Sequence, residues 1–543
     1  MLSLKGSTQR IVFLGLFASF LTGFVSITQS RAAERVEFHF EDMTFPVSIN
    51  ELDNWSKEIN LKDQDSKKDF KENSELASWL NLLDFQSRFA LSNFLNSPLI
   101  TDKGMSRQLL RSWVGRKLLD EVSDLIRLDD DRTGTKVFNT LENLLEGQEE
   151  VSTLSLLKAL PGEVIHFDLN LWVKVVSSWK DELKKQQKLL SDLKELNSQN
   201  KTIKKIEALA SSKLQESSHE FIELEVPHRN KALRLEVWNP ISRKETRQSW
   251  IVLMPGLGGD QNHFRWLALS LSHQGWPVVI LDHPGSDYKA LNLLLEGSFP
   301  APGGAEVFPY RLSDLNQVLK ARREGLIDVP GNKVILIGHS LGSLTSFLAT
   351  GATPMEGLSE RCQKALDHLS VTNLSRLLQC QLVDVPLPDQ SKIEDLEAIV
   401  GINSFGSLLW PGQSSLGIDV PVFLTGGTFD LITPALSEQL PLMVSIKNNK
   451  FNRTLLIEGA SHFSPIRVKG QTDNAKGEDL LQLNDSLVGT QPLKVQRILA
   501  SEIIKFLDLL ESEKEVSIET NLNDAEIKYH IIDKKIAENL IAD

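Results

Sequence analysis

A serine, a carboxylate and a histidine can together cleave an acyl bond if the serine is held on a turn that presents its hydroxyl. The stretch Val334-Ile335-Leu336-Ile337-Gly338-His339-Ser340-Leu341-Gly342-Ser343 offers such a serine. Four apolar, mostly β-branched residues precede it and residues 344–349, which can continue as a helix, follow, so the segment reads as buried strand, abrupt turn and helix. Gly338 and Gly342 suit that turn, because a Cβ at either would collide with the adjoining strand and helix. The helix N-terminus beneath Ser340 favours negative charge developing beside its hydroxyl. Gly-x-Ser-x-Gly alone is a weak signal in a chain of 543 residues, and an ordinary serine in a glycine-bounded turn is the bland reading. The surrounding elements decide between the two.

Two later segments supply the partners. Asp430 lies in Gly426-Gly427-Thr428-Phe429-Asp430-Leu431-Ile432-Thr433-Pro434, just past an apolar run at 422–424. A carboxylate there can orient a histidine and stabilise its imidazolium. His462, in Gly459-Ala460-Ser461-His462-Phe463, alone among eleven histidines follows both the serine and the acid at a strand end, as a general base should. Asp282, in Leu281-Asp282-His283-Pro284-Gly285, competes as the acid but reads better as closing a turn. His339 is taken as structural, while His263 and His283 could line a pocket or lie on the surface. The glycines of Met254-Pro255-Gly256-Leu257-Gly258-Gly259 let a loop curl over the nucleophile, so the amides of Leu257 and Leu341 are the expected oxyanion donors. No Lys-Ser/Thr follows that loop and the dinucleotide pattern is unmatched, so a phosphate cradle is disfavoured. No metal-ligand spacing is evident, and the chemistry requires no cofactor.

These side chains need a scaffold that brings strand ends together. Apolar runs at 250–254, 278–281, 334–337, 398–402, 422–424 and 454–457 alternate with helical patterns at 262–272, 311–323, 434–439 and 493–510. An antiparallel hairpin at 220–226 and 232–237 leads into them. The expected fold is therefore α/β, a doubly wound and mostly parallel sheet over residues 216–510, with ligands at the carboxyl ends of its strands. Residues 351–393 are too long for a simple loop and hold both cysteines, Cys362 and Cys380. They are expected to form a helical lid, pinned by a Cys362–Cys380 disulfide and lined by Leu369, Leu374, Leu377 and Leu378. Packing of those leucines against the core is the equally simple alternative. Residues 33–215 read as a separate, mainly α-helical N-terminal domain, with strands at 35–40 and 43–49, an extended piece at 164–169 and amphipathic helices at 75–96, 106–126 and 135–145. Residues 511–543 are charged and read as an appended helix or a loose tail.

Residues 1–32 carry Lys5 and Arg10, an uncharged apolar run at 11–25 and small residues before Ala32, the plan of a Sec-type signal peptide. Export to periplasm, thylakoid lumen or medium is expected. A net charge of −13 argues against nucleic acid and against electrostatic docking on anionic membranes.

The elbow at 338–342, the loop at 255–259, Asp430 ahead of Pro434 and the His462 loop resemble the α/β-hydrolase superfamily, and within it dienelactone-hydrolase-like and platelet-activating-factor-acetylhydrolase-like enzymes. The whole plan, with a region opening Ala33-Glu34-Arg35-Val36, resembles an exported family described mainly from cyanobacteria whose own activity is unassigned. Pro255 departs from the histidine that many lipases carry before the oxyanion glycine. The expectation is an exported serine hydrolase of carboxylic esters, lipase- or esterase-like, acting on a small-molecule or lipid ester with peripheral membrane contact allowed. An amidase or peptidase using the same three residues is the runner-up, and a catalytically silent envelope-binding protein is the rival from a different class.

Overall fold

The structure is a computed structural model that describes residues 33–61, 76, 85–96, 98–100, 125–128, 131, 134–147, 151–196, 219–240, 246–287, 289–290, 307–366, 373–388, 392–471, 488–489, 491–512, 519–524 and 527–542. The expected signal peptide and nearly all of the helix expected at 106–126 lie outside these residues. The chain divides into two compact units, Met1–Lys103 with Val122–Asn170, and Gly104–Glu121 with Leu171–Asp543. The division thus falls well before residue 215.

In the first unit, strand β1 (Arg35–Phe40) pairs antiparallel with β2 (Met43–Ser48), as the alternating sequence leads one to expect. Helices α1 (Ile49–Leu61) and α2 (Phe85–Asn96), short strands β3 (Pro98–Ile100) and β4 (Ile126–Leu128), and helix α3 (Thr135–Gly147) follow. Strand β5 (Val151–Ser152) runs directly into helix α4 (Thr153–Ala159), where Ser152 and Ser155 form a reciprocal cap. Strand β6 (Val164–Asp168) then pairs parallel with β1 and antiparallel with β4, giving the order β2-β1-β6-β4. The helices bury Leu52, Trp55, Leu95, Leu154 and Leu157. This unit therefore carries a sheet alongside its helices, and "mainly helical" understates it. Its strands are short and only half-buried, so their period-2 signal is weaker than that of the amphipathic helices.

The second unit begins within helix α5 (Leu169–Glu195), whose Leu189 and Leu193 are buried in this unit's core. The antiparallel hairpin β7 (His219–Leu224) and β8 (Leu233–Trp238) leads into β9 (Ser249–Met254), helix α6 (Arg265–His273) and β10 (Val278–Leu281). Helix α7 (Phe308–Arg323), β11 (Lys333–His339) and helix α8 (Leu341–Leu348) come next. Then follow helices α9 (Leu358–Leu366) and α10 (Ser375–Gln381), β12 (Leu396–Ile402), β13 (Val422–Gly427), helix α11 (Gln439–Ser445) and β14 (Arg453–Ile457). Helix α12 (Pro492–Ser512), the hairpin β15 (Glu519–Asp524) and β16 (Ile527–Ile532), and helix α13 (Lys534–Ala542) complete the chain.

Among the described residues these strands form one sheet in the order β15-β16-β14-β13-β12-β11-β9-β10-β8-β7. The middle, β14 to β10, is parallel, and antiparallel hairpins close both edges. Because strand side chains alternate, each apolar run feeds two cores. Trp250, Val252, Met254, Val334 and Leu336 face one side, and Ile251, Leu253, Ile335 and Ile337 the other. That two-sided burial explains why these strands read as unbroken apolar runs.

The expectation of an appended helix or loose tail at 511–543 is corrected. Ile527, Tyr529 and Ile531 alternate into one core, and Ile532, Ala537 and Leu540 enter the other. Charged neighbours disguise this pattern in the sequence. The helix expected at 434–439 instead starts at Gln439, since residues 435–438 form turns. Cys362 and Cys380 are disulfide-bonded, with Cα atoms 5.4 Å apart, and join α9 to α10. Of the four leucines expected to line a lid, Leu377 is buried, Leu378 packs against the core, Leu374 is exposed, and Leu369 lies outside the described residues. Among the described residues no helix is long and apolar enough to cross a membrane.

Candidate active site

Ser340 stands between β11 and α8 with φ 50° and ψ −116°. An L-residue adopts such a conformation only under constraint, and two constraints are visible. Its amide donates to the carbonyl of Ile402 at 2.8 Å, and its own carbonyl accepts the first helical bond from Leu344 at 3.1 Å. The elbow is also packed without slack. A Cβ on Gly342 would fall onto the carbonyl of Met254, and one on Gly338 onto the backbone of Gly342. Both expected glycines are thus required by close approach.

The loop after β9 passes directly over this turn. A Cβ placed on Gly256 would lie 3.1 Å from Cβ of Ser340. Leu257, the next residue, is exposed, and the amide of Gly258 is held by the carbonyl of Ser286 at 2.8 Å. Leu341 is the first residue of α8, so its N–H belongs to the helix start, where no intrahelical acceptor exists. Leu341 thus adjoins Ser340 in the chain, and Leu257 follows the glycine that packs against it.

Asp430 and His462, from the loops after β13 and β14, are brought together: His462 Nδ1 lies 2.9 Å from Asp430 Oδ2. The carboxylate is buried and richly bonded. Oδ1 accepts from the amides of Ile432 and Thr433, both at 2.8 Å. Oδ2 accepts from Asn403 Nδ2 at 2.6 Å and from the Thr433 hydroxyl at 2.7 Å. Burial works against its charge, but His462, Asn403 and Thr433 outweigh that and hold it below the usual carboxylate range. An ionised Asp430 accepts a hydrogen bond from Nδ1–H of His462, which leaves Nε2 with its lone pair.

His339 is structural in a specific way. Its Nε2–H donates to the carbonyl of His462 at 3.1 Å, and burial, with His462 nearby, pushes its pKa down to about 3. It stays neutral and ties the backbone of His462 to the residue before Ser340. His263 is fully buried, accepts the Asp260 amide on Nδ1 at 2.9 Å and has its pKa lowered by burial to about 4. Asp282 stays at the turn after β10, where its carboxylate accepts the amide of Gln261 at 3.1 Å. Burial, then Asp260 and Asp287, raise its pKa to about 8.

Sequence reasoning missed the support beneath the oxyanion loop. Arg311 of α7, wholly buried, donates to the carbonyl of Pro255, to Ser286 Oγ at 2.7 Å and to Thr345 Oγ1 of α8 at 3.2 Å. Burial lowers its pKa to about 9, so it remains charged at neutral pH. One turn on, Asp314 accepts from Arg229 Nε and Nη2, both at 2.6 Å, and faces His283 Nδ1 at 2.9 Å and His228 Nε2 at 2.7 Å. Burial opposes that charge, but His283 and Arg229 carry the pKa well down. His283 is therefore neither pocket lining nor surface. The signal was in the helix: Arg311, Asp314, Leu315 and Val318 follow the i, i+3, i+4, i+7 pattern of a buried face. Asn403, whose φ of 49° suits an asparagine, carried no motif at all.

The segment holding the disulfide is anchored to the acid's loop. Ser375 donates its amide to Ile432 at 3.0 Å, while Glu438 accepts from Asn373 at 2.7 Å and Gln379 at 3.1 Å.

Two known families match parts of the chain. The family described as alpha/beta hydrolase of unknown function (DUF1400) matches residues 32–168, and the family described as alpha/beta hydrolase fold matches residues 249–365. The second match runs from β9 through the Ser340 elbow to α9. No curated protein matches the chain. The chain has the alpha/beta hydrolase fold, and the matches suggest hydrolase activity.

Proposed function

From an alpha/beta hydrolase fold as premise, we propose that the chain is an exported serine hydrolase that cleaves carboxylic esters. The observation that carries the reading is the conjunction of a strained Ser340 under the Gly256 loop with a buried His462–Asp430 pair in the order Ser, Asp, His. Ser340 attacks the ester carbonyl while His462 Nε2 accepts its proton. Asp430 holds the imidazole and stabilises the imidazolium. The amides of Leu257 and Leu341 receive the oxyanion, the protonated His462 hands its proton to the departing alcohol, and water then releases the acyl group from Ser340 by the same steps.

The surroundings favour an apolar acyl chain. Leu257 adjoins the oxyanion glycine, Phe429 and Leu431 flank the acid, and Leu374 adjoins the Ser375–Ile432 contact; all four are exposed. In this reading residues 351–393 cover the pocket as a disulfide-pinned lid, with Leu374 as the one described leucine on its open side.

The test is hydrolysis of p-nitrophenyl esters of increasing length, with fluorophosphonate labelling, by the chain and by Ser340→Ala. Loss of both labelling and turnover, by about 10³-fold or more, supports the proposal. Equal labelling or equal turnover in the variant removes it.

A further inference from the structure

In the first unit, on the sheet face formed by β1 and β6, we propose a site for a single Zn²⁺ ion, held by Glu37, His39 and His166. Strand alternation puts Glu37 and His39 of β1 on one face, and the parallel register sets His166 of β6 opposite Glu37. One ligand atom from each residue lies within 4.8 Å of the others. His39 Nε2 and His166 Nδ1 are 2.9 Å apart, and His166 Nδ1 is 3.6 Å from Glu37 Oε2. Ligands about 2.0–2.2 Å from a tetrahedral zinc stand roughly 3.3–3.5 Å from one another, so small side-chain shifts would seat the ion.

The surroundings aim these atoms. Thr44 of β2, the register partner of His39, places its hydroxyl 3.2 Å from His39 Nδ1. With the Nδ1 proton given to that oxygen, the Nε2 lone pair turns toward His166. Arg35 Nε holds Glu37 Oε1 at 3.1 Å and leaves Oε2 facing the histidines. Arg127 of β4, the register partner of His166, is turned to Asp168 at 3.5 Å. Two imidazoles and a carboxylate suit zinc better than magnesium or calcium, which prefer all-oxygen shells. Three protein ligands leave a fourth position for water. The sequence showed no metal spacing because His39 and His166 stand 127 positions apart and meet only through strand pairing.

The site lies wholly in the first unit and does not rest on the ester-hydrolase reading. Its test is calorimetric titration of the chelator-stripped full chain with ZnCl₂, with MgCl₂ as control, and Co²⁺ substitution followed by visible absorption. The expected result is one equivalent of Zn²⁺ bound, no response to Mg²⁺, and intense four-coordinate Co²⁺ bands. Thr44→Val, which removes only the hydroxyl on His39, is expected to weaken Zn²⁺ binding about 10–100-fold. His39→Gln with His166→Gln should abolish it. Absence of binding, weak six-coordinate Co²⁺ bands, or unchanged affinity in the double variant would overturn the site. Should the double variant fail to fold, the wild-type Co²⁺ spectrum and the Thr44→Val affinity decide.

Discussion

Asp430 receives four hydrogen bonds besides its contact with His462, so removing its charge and removing its supports are separable experiments. Asp430→Asn keeps the shape but leaves His462 in the wrong tautomer, and is expected to lower kcat for p-nitrophenyl acetate by about 10⁴-fold. Asn403→Gly keeps the left-handed backbone and deletes a charge-assisted bond worth about 1.5–3 kcal/mol, so kcat should fall roughly 10–100-fold with KM little moved. If Asn403→Gly moves KM alone, Asn403 does not position the acid. The rim can be probed the same way. Phe429→Ser should lower the octanoate-to-acetate ratio of kcat/KM about 10-fold, and an unchanged ratio would place the acyl chain elsewhere. Ser340, Asp430 and His462 could be read from the sequence because each stands at a strand end in a short pattern. Asn403 could not, because its role arises only when β12 and β13 lie side by side.

Helix α7 shows how an element can be visible while its purpose is hidden. Residues 311–323 read as helical and their spacing puts Arg311 and Asp314 on the buried face, yet no motif showed which groups those charges would meet. Arg311→Met should destabilise the protein by about 1–3 kcal/mol in urea unfolding, since it leaves the buried Pro255 carbonyl and the Ser286 and Thr345 hydroxyls without their donor. A neutral effect would mean that apolar packing replaces the ion at no loss. The helices at 358–366 and 375–381 are cross-linked through Cys362 and Cys380, 18 positions apart. Replacing both cysteines by serine should cost about 3 kcal/mol, read by the same unfolding curves. The hairpin at 519–532 was illegible for a different reason. Its apolar alternation at Ile527, Tyr529 and Ile531 is brief and lies between charged stretches, so charge dominates any longer window drawn over it.

At the scale of the molecule, the buried groups shape how stability depends on pH. Asp282 holds its proton more tightly folded than unfolded, since burial, Asp260 and Asp287 raise its pKa to about 8. Its stabilising effect is therefore complete below the unfolded pKa of about 4 and is lost as pH rises through about 8. Asp282→Asn should flatten the fall in Tm between pH 5 and pH 9, and an unaltered slope would show that other groups govern it. Asp430 has the opposite sign, its contribution being present above the unfolded pKa and lost as the medium is acidified through its lowered folded value. The chain thus meets destabilising titrations from both sides.

The bond from His339 to the carbonyl of His462 spans 123 positions. Contacts of such separation are costly to close and form late. The bond also couples His462 to the residue before Ser340, so under the proposed mechanism a partly folded chain lacking β14 cannot assemble the site. Under the proposed function, turnover then becomes a clock for completed folding. On dilution from urea, tryptophan fluorescence should recover first, and ester hydrolysis should lag behind it until the last parallel strand is in place.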